Sequence, residues 1–245
     1  MRDTIKDKLY FERYIQSSEA SYKKRVEKLR NGKIKHSRIR PVKIDMIRRL
    51  IRTIAAKYSL GLDTDFLVPD YTICVDLISD SWTGQRKLIA NNHKTLDQYS
   101  LDAYDDMIWM LSLGYLLNVP IGQFKKLVIV IDQDNVRDKL FESIISAKIP
   151  SRQKILNESF EWVLFRKLRE ATDAKNKDQA ALLVKQFLEE DWYNEHKNAA
   201  WYDNHKSDLD TYSGYWSFEA AAIAKILNLD DNSFKTNEYY PKDLV

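Results

Sequence analysis

The stretch YDDMIWMLSLGYLL, residues 104–117, decides the fold of this chain. After Asp106 it is almost wholly apolar, so a helix formed here is apolar on every side, and such a helix lies in the middle of a bundle. Thr95 or Asp97 can cap this helix, and Pro120 closes it. The apolar run ends at Val119, which leaves it shorter than the roughly 18 residues that a membrane helix needs. The stretch therefore predicts the central helix of a globular protein.

The segments on both sides of this stretch also carry the spacing of amphipathic helices. Apolar residues recur every three to four positions in residues 3–30 and in a helix that Pro41 opens and Gly61 ends. A further helix is predicted for residues 65–82, despite the β-branched residues at 72–75. Residues 127–131 are apolar without a period, and we assign them to a helix because a lone strand would have no sheet partner. After them, residues 160–169, 178–192 and 215–227 show helical spacing. Six Gly and five Pro in 245 residues also favour helices over an all-β fold. The predicted fold class is all-α.

The charge of the chain is uneven. Residues 1–50 hold 16 Lys and Arg against 6 Asp and Glu, whereas the rest of the chain is mildly acidic and the total is +3. A basic N-terminal arm on an acidic body follows, and such an arm can bind nucleic acid. Its acids, however, are interleaved with the cations, which favours a solvated helix face instead: Asp3, Asp7, Glu12, Glu19 and Glu27.

The N-terminus lacks an apolar signal core, and Cys74 is the single cysteine. Cys74 lies in an apolar run, which predicts an inert buried thiol and fits a reducing compartment.

One group of residues could carry chemistry. His196, Asp203, His205 and Asp208 lie close in sequence, and such side chains can bind a divalent metal or act as acid and base. Their spacing matches no established metal or catalytic motif. We favour a structural role, and a metal-dependent hydrolase that uses these four residues stays an alternative. No catalytic, metal or cofactor site is predicted from these residues.

Glu219 is unusual because of its surroundings. On a helix starting at Tyr215, its carboxylate falls in the apolar stripe between Ile226 and Ile223. A buried carboxylate needs a cation or several hydrogen-bond donors. We predict a structural, buried Glu219 bonded to a Tyr hydroxyl, a Trp indole, His205 or an Arg.

Three C-terminal stretches make the chain recognisable: WYDNHK (residues 201–206), YSGYWSFEAAA (residues 212–222) and YYPKDL (residues 239–244). They closely resemble the C-terminal domain of the PoNi family, bacterial immunity proteins that are paired with PoNe toxins. The N-terminal part resembles the other domain of that family through residues 1–3, Tyr58-Ser59 and the helix at 104–117.

The resemblance implies two packed helical domains forming a compact helical bundle, which we place at residues 1–122 and 123–245. It also implies a cytoplasmic immunity protein that is not an enzyme and has no cofactor. This protein would bind a cognate PoNe-like nuclease domain, of the DNA-cleaving PD-(D/E)xK type, delivered by a type VI or related secretion system. Neither a membrane role nor a direct nucleic-acid role is expected, and a DNA-binding helical protein that uses residues 23–49 stays an alternative.

A nuclease presents a basic cleft to DNA, and an inhibitor can imitate DNA with carboxylates or dock beside the cleft and obstruct it. Because the chain after its basic arm is only mildly acidic, we expect local acidic patches and aromatic anchors instead of imitation by the whole protein. The candidate toxin-binding residues are Glu189, Glu190, Asp191, Tyr193, Tyr202, Asp203, Asp208, Asp210 and Tyr212, the tyrosines to the extent that they are exposed.

Overall fold

The computed structural model describes residues 1–84, 86–90, 93–153 and 160–245, and this part of the chain is all-α apart from one short β-hairpin. The helices are α1 (Lys8–Arg30), α2 (His36–Leu60), α3 (Val68–Ser81), α4 (Leu101–Leu116), α5 (Ile121–Gln133), α6 (Lys139–Lys148), α7 (Arg166–Thr172), α8 (Lys177–Gln186), α9 (Trp192–Glu195) and α10 (Phe218–Ile226). Strands β1 (Lys87–Ile89) and β2 (Thr95–Tyr99) pair antiparallel. The predicted fold class is confirmed.

The chain forms two compact units that do not follow its sequence order. Unit 1 consists of residues 1–85 and 203–214, and unit 2 of residues 86–202 and 215–245. Two stretches that are distant in sequence therefore form unit 1 together. The predicted division between residues 122 and 123 is a division into sequence halves, and it stays a prediction.

Unit 1 is built on a helical hairpin of α1 and α2. The Ser18 and Thr53 hydroxyl oxygens lie 2.6 Å apart, and Arg25 pairs with Asp45 at 2.8 Å, so residue numbers rise along one helix as they fall along the other. Helix α3 packs antiparallel on α2 in the same way, and Lys57 of α2 pairs with Asp70 at 2.8 Å. The three helices enclose an apolar core that includes the buried Cys74.

Unit 2 is built around α4. Every residue from Ala103 to Gly114 is buried, and α4 packs against α6 and α10. The ring of Tyr104 lies 4.7 Å from that of Phe141 and 4.8 Å from that of Phe165. The stretch that decided the fold is thus the central helix of this unit. In the described part of the chain, each helix is too short or too polar to cross a lipid bilayer.

The first two helix starts predicted from the sequence were wrong. Helix α1 begins at Lys8 instead of residue 3, because the Asp7 carboxylate caps it by accepting the Tyr10 N–H at 2.7 Å. Helix α2 begins at His36, so Pro41 lies inside it and does not open it. Pro41 has no backbone N–H, so α2 lacks one helical hydrogen bond. Burial of the long apolar face of α2, from Met46 to Ser59, stabilises the helix by more than this loss.

Residues 95–99 were predicted to begin the central helix, and this was wrong because they form β2. Gln98 and Tyr99 are fully buried there, and the Gln98 amide donates to the Asp138 carboxylate at 3.1 Å. Long-range contacts of this kind stabilise a strand that is too short for its period to be read from sequence.

The last long helix is also shorter than predicted. Gly214 has a left-handed φ of 106°, and the Ser217 N–H donates to the Tyr239 carbonyl at 2.8 Å. Because of these contacts, α10 begins only at Phe218, and Tyr215 precedes it. In the predicted helix 178–192, α8 passes into α9 through a π-helical turn, Phe187–Asp191.

Candidate functional site

The segment of residues 203–214 is fixed at its C-terminal end to the helical hairpin of unit 1. The Tyr10 hydroxyl donates to the Tyr212 carbonyl and accepts the Tyr212 N–H, each at 2.9 Å. The Tyr212 hydroxyl donates to the Asp3 carboxylate, and the Ser59 hydroxyl donates to the Ser213 carbonyl at 3.0 Å. The base of the segment is therefore held in one place by buried hydrogen bonds.

The other end of the segment is a closed, exposed turn. The Asn204 amide donates to the Thr211 carbonyl at 2.9 Å, which closes the turn, and Lys206 pairs with Asp203 at 2.9 Å. Between Asn204 and Thr211, three residues are exposed: Asp208, Leu209 and Asp210. The exposed fraction of Leu209 is 72%. Neither Asp208 nor Asp210 forms an ion pair with a described residue. We call residues 208–210 the acidic tip.

The Asp210 carboxylate of the acidic tip also acts on Tyr10, the residue that binds Tyr212 at the C-terminal end of the segment. Burial raises the pKa of Tyr10 to about 12, and the nearby Asp210 carboxylate adds to the rise. Tyr10 is therefore a neutral hydroxyl at any physiological pH, and it can donate and accept the two hydrogen bonds to Tyr212 at once.

Of the three candidate tyrosines, Tyr212 is 1% exposed, so it is the anchor of the segment and offers no surface to a partner. In unit 2, the half-buried rings of Tyr193 and Tyr202 pack together with their centroids 4.7 Å apart. These two keep part of their rings at the surface.

The acids of the π-helical turn are largely neutralised within unit 2. Lys167 pairs with Glu190 at 2.6 Å and with Asp191 at 2.9 Å, and Lys185 pairs with Glu189 at 2.5 Å. This patch is a weaker source of negative potential than three acids in a row suggest, because two cations lie against it.

Glu219 is fully buried at the first turn of α10. Its Oε1 atom accepts the Trp192 indole N–H at 2.6 Å and the Ser217 hydroxyl at 2.9 Å. Its Oε2 atom has no hydrogen-bond partner among the described residues. Burial raises the pKa of Glu219 to about 7, against smaller lowering effects of its own backbone N–H and His196.

His196 belongs to the same buried cluster. Its Nε2 atom lies 3.2 Å from the Asp105 carboxylate, its Nδ1 atom contacts the Trp192 carbonyl, and Asp105 also accepts the Trp201 indole N–H at 3.1 Å. Burial by itself lowers the pKa of His196, but the charge and hydrogen bond of Asp105 raise it overall. The two ring nitrogens of His196 thus face two acceptors, the Trp192 carbonyl and the Asp105 carboxylate.

Both ring nitrogens of His196 are engaged, so the metal-dependent alternative loses its first ligand. Within the described ranges, no group of three or more His, Cys, Asp or Glu side chains is arranged to hold a metal ion. His205 and Asp208 lie in the segment of unit 1, where Asp208 is exposed.

Sequence reasoning missed Leu209, Tyr10 and Asp3 as parts of this site. A leucine inside a polar loop is a signal that could have been read. The contacts of Asp3 and Tyr10 with Tyr212 join positions about 200 residues apart, and no local pattern reports them.

Two family models match the chain over nearly its whole length. PoNe immunity protein (PoNi), N-terminal, matches residues 2–129, and PoNe immunity proteins (PoNi), C-terminal, matches residues 136–244. The chain belongs to the PoNi family. The recognition made from the sequence is confirmed, and this PoNi protein carries both family domains.

A solved structure with a similar fold is the crystal structure of protein PA2201 from Pseudomonas aeruginosa. It is 15% identical to this PoNi protein, covers 94% of this chain and 86% of its own, and has a TM-score of 0.59. At that identity the likeness concerns the fold alone. A search of the curated proteins gives no match.

Proposed function

We propose that this PoNi protein binds a PoNe-type nuclease toxin and neutralises it, without catalysing a reaction. Membership of a family of PoNe immunity proteins supports this. In the proposal the toxin cleaves DNA, belongs to the PD-(D/E)xK type and arrives through a type VI or related secretion system. The PoNi protein acts in the cytoplasm of the cell that it protects, and it uses no cofactor.

The proposed contact rests on the exposure of the acidic tip at the end of an anchored segment. Two unpaired carboxylates flank a leucine that is 72% exposed, and the segment behind them is held by Tyr212. A toxin cleft that binds DNA phosphate is basic, so Asp208 and Asp210 would steer the encounter while Leu209 anchors it. A preorganised loop also loses little entropy on binding.

The patch of Glu189, Glu190 and Asp191 is a weaker candidate in this proposal, because lysines already neutralise much of its charge. The half-buried Tyr193 and Tyr202, both in unit 2, offer the aromatic surface of a second contact. A net charge of +3 argues against imitation of DNA by the protein as a whole.

The function is tested by co-producing the PoNi protein with the toxin encoded beside it. We expect growth to be rescued and the two purified proteins to form a stoichiometric complex. Absence of binding between the purified pair would overturn the proposed function.

The contact is tested with Asp208→Lys/Asp210→Lys and with Leu209→Ala. We expect each change to weaken toxin binding at least tenfold in a calorimetric titration. The matched controls are Asp178→Lys/Asp230→Lys, two exposed acids of unit 2, and Leu182→Ala, a leucine that is 53% exposed. If the controls weaken binding as much as the tip variants, the acidic tip is not the contact, although the function stands.

A further inference from the structure

The turn between α1 and α2 carries a second charged surface that the proposed toxin contact does not use. Residues 28–44 include seven Lys and Arg and no Asp or Glu. Five of the seven are exposed and form no ion pair with any residue that the structure describes: Lys28, Arg30, Lys33, Lys35 and Arg38. We call these five the basic tip. The other two are engaged, since Arg40 donates to the Thr83 carbonyl at 2.9 Å and Lys43 pairs with Asp80.

Most of the acids that argued against a nucleic-acid arm do not neutralise the basic tip. Asp3 is buried and Asp7 caps α1, Glu12 pairs with Lys8 at 3.6 Å, and Glu19 pairs with Lys57 at 3.0 Å. Only Glu27 lies beside the tip, one residue before Lys28. The folded hairpin thus separates charges that the linear sequence mixes.

We infer that the basic tip binds the phosphate backbone of a nucleic acid. Unpaired Lys and Arg on one end of a helical hairpin form the electrostatic footprint that a polyanion recognises. A membrane surface fits less well, because residues 28–44 expose no large apolar side chain to insert between lipids. Nothing in the footprint selects a base sequence, so the contact is independent of sequence.

The basic tip and the acidic tip lie at opposite ends of the hairpin. Tyr10, in the first turn of α1, holds the segment that carries the acidic tip, whereas Lys28 and Arg30 are in the last turn of α1. Since α1 has 23 residues, the two ends are roughly 34 Å apart. The inference does not rest on the proposed function, because nucleic acid and toxin would occupy different ends.

The experiment measures binding of the full chain to a fluorescent 20-base-pair DNA duplex by anisotropy over a salt series. We expect log K to fall with log salt with a slope of about −4 to −5 if all five cations contact phosphates. A duplex RNA of the same length and a vesicle of anionic lipid are measured in parallel. DNA and RNA share the backbone chemistry, and their relative affinity identifies the preferred nucleic acid.

The decisive variant is Lys33→Glu/Lys35→Glu, which we expect to weaken duplex binding at least tenfold and to make the slope shallower by about two. Its matched control is Lys125→Glu/Lys197→Glu. It changes the net charge equally, at two exposed lysines of unit 2 that pair with no described residue, and we expect binding within twofold of the original. A glutamate at position 35, the N-cap of α2, is favourable to the helix, and Lys33→Gln/Lys35→Gln provides a milder second variant.

Three outcomes overturn the inference. One is a slope shallower than −2 with the duplex, and another is a control pair that weakens binding as much as the tip pair. The third is that the original protein binds no duplex, while Lys33→Glu/Lys35→Glu weakens binding to the toxin or to vesicles. The variant Asp208→Lys/Asp210→Lys keeps duplex binding if the inference holds, so failure of the toxin contact and failure of this contact are distinguishable.

Discussion

Glu219 is a buried carboxylate whose second oxygen lacks a hydrogen-bond partner among the described residues. The first oxygen accepts the Trp192 indole N–H and the Ser217 hydroxyl, so the side chain joins α10 to α9. Burial of a charge costs free energy that two neutral donors only partly offset. The residue therefore contributes most when it is protonated.

The pH dependence of unfolding tests this description of Glu219. Its pKa is about 7 in the folded protein against an ordinary 4.5, so the folded state binds the extra proton and stability falls as pH rises from 4.5 to 7. A shift of this size corresponds to about 3 kcal/mol. Glu219→Gln keeps the acceptor but cannot ionise, and urea unfolding at several pH values should show this decline removed. An unchanged decline would assign it to other groups, His196 first.

The elements show where local signals suffice. The spacing of α1 is readable in the sequence, as is the continuous apolar surface of α4, whereas the start of α1 after the Asp7 cap was missed. Strand β2 was not readable in the sequence, because the burial of two of its five residues, Gln98 and Tyr99, stabilises it. The interior Pro41 of α2 was also missed, since a local rule places proline at a helix start and only burial of the long helix overrides it.

The end of α2 offers a test of a single backbone contact. Gly61 ends α2 with a left-handed φ of 93°, and a Cβ added there would lie 2.9 Å from the Met1 nitrogen. Gly32, after α1, has a φ of 64° but nothing within 4 Å of such a Cβ. Gly32→Ala should cost about 1 kcal/mol through backbone strain alone. Gly61→Ala should cost about 2 kcal/mol or more, because Met1 must also move. Equal losses in urea unfolding would mean that the N-terminus yields freely.

At the scale of the whole molecule, the sequence did not predict which residues make up unit 1. The family recognition and the helical class were available from residues 104–117 and 201–244. The return of residues 203–214 to the first helices was not, because it depends on buried contacts of Tyr212 with Tyr10 and Asp3. For the same reason the sequence located the acidic loop but not the residue that anchors it.

A pair of fragments tests whether residues 203–214 complete unit 1. Residues 1–84 alone lack the hydrogen bonds that Tyr10, Asp3 and Ser59 form with Tyr212 and Ser213. The same fragment joined by a flexible Gly-Ser linker to residues 203–214 regains four hydrogen bonds and the buried Tyr212 ring. We expect the joined fragment to be more stable by about 2–4 kcal/mol, with a sharper thermal transition in circular dichroism. Identical transitions would show that the segment follows the fold of unit 1 and does not support it.

The divided composition of unit 1 also sets an order of events during protein synthesis. Residues 86–202 separate its two parts, and at 5–20 residues per second a ribosome needs roughly 6 to 23 s to make them. Throughout that interval the nascent hairpin lacks Tyr212, and the acidic tip does not yet exist. A chain truncated within this stretch therefore has the basic tip but lacks the proposed toxin contact. Protection of the cell would thus begin only with chains whose translation has passed residue 214.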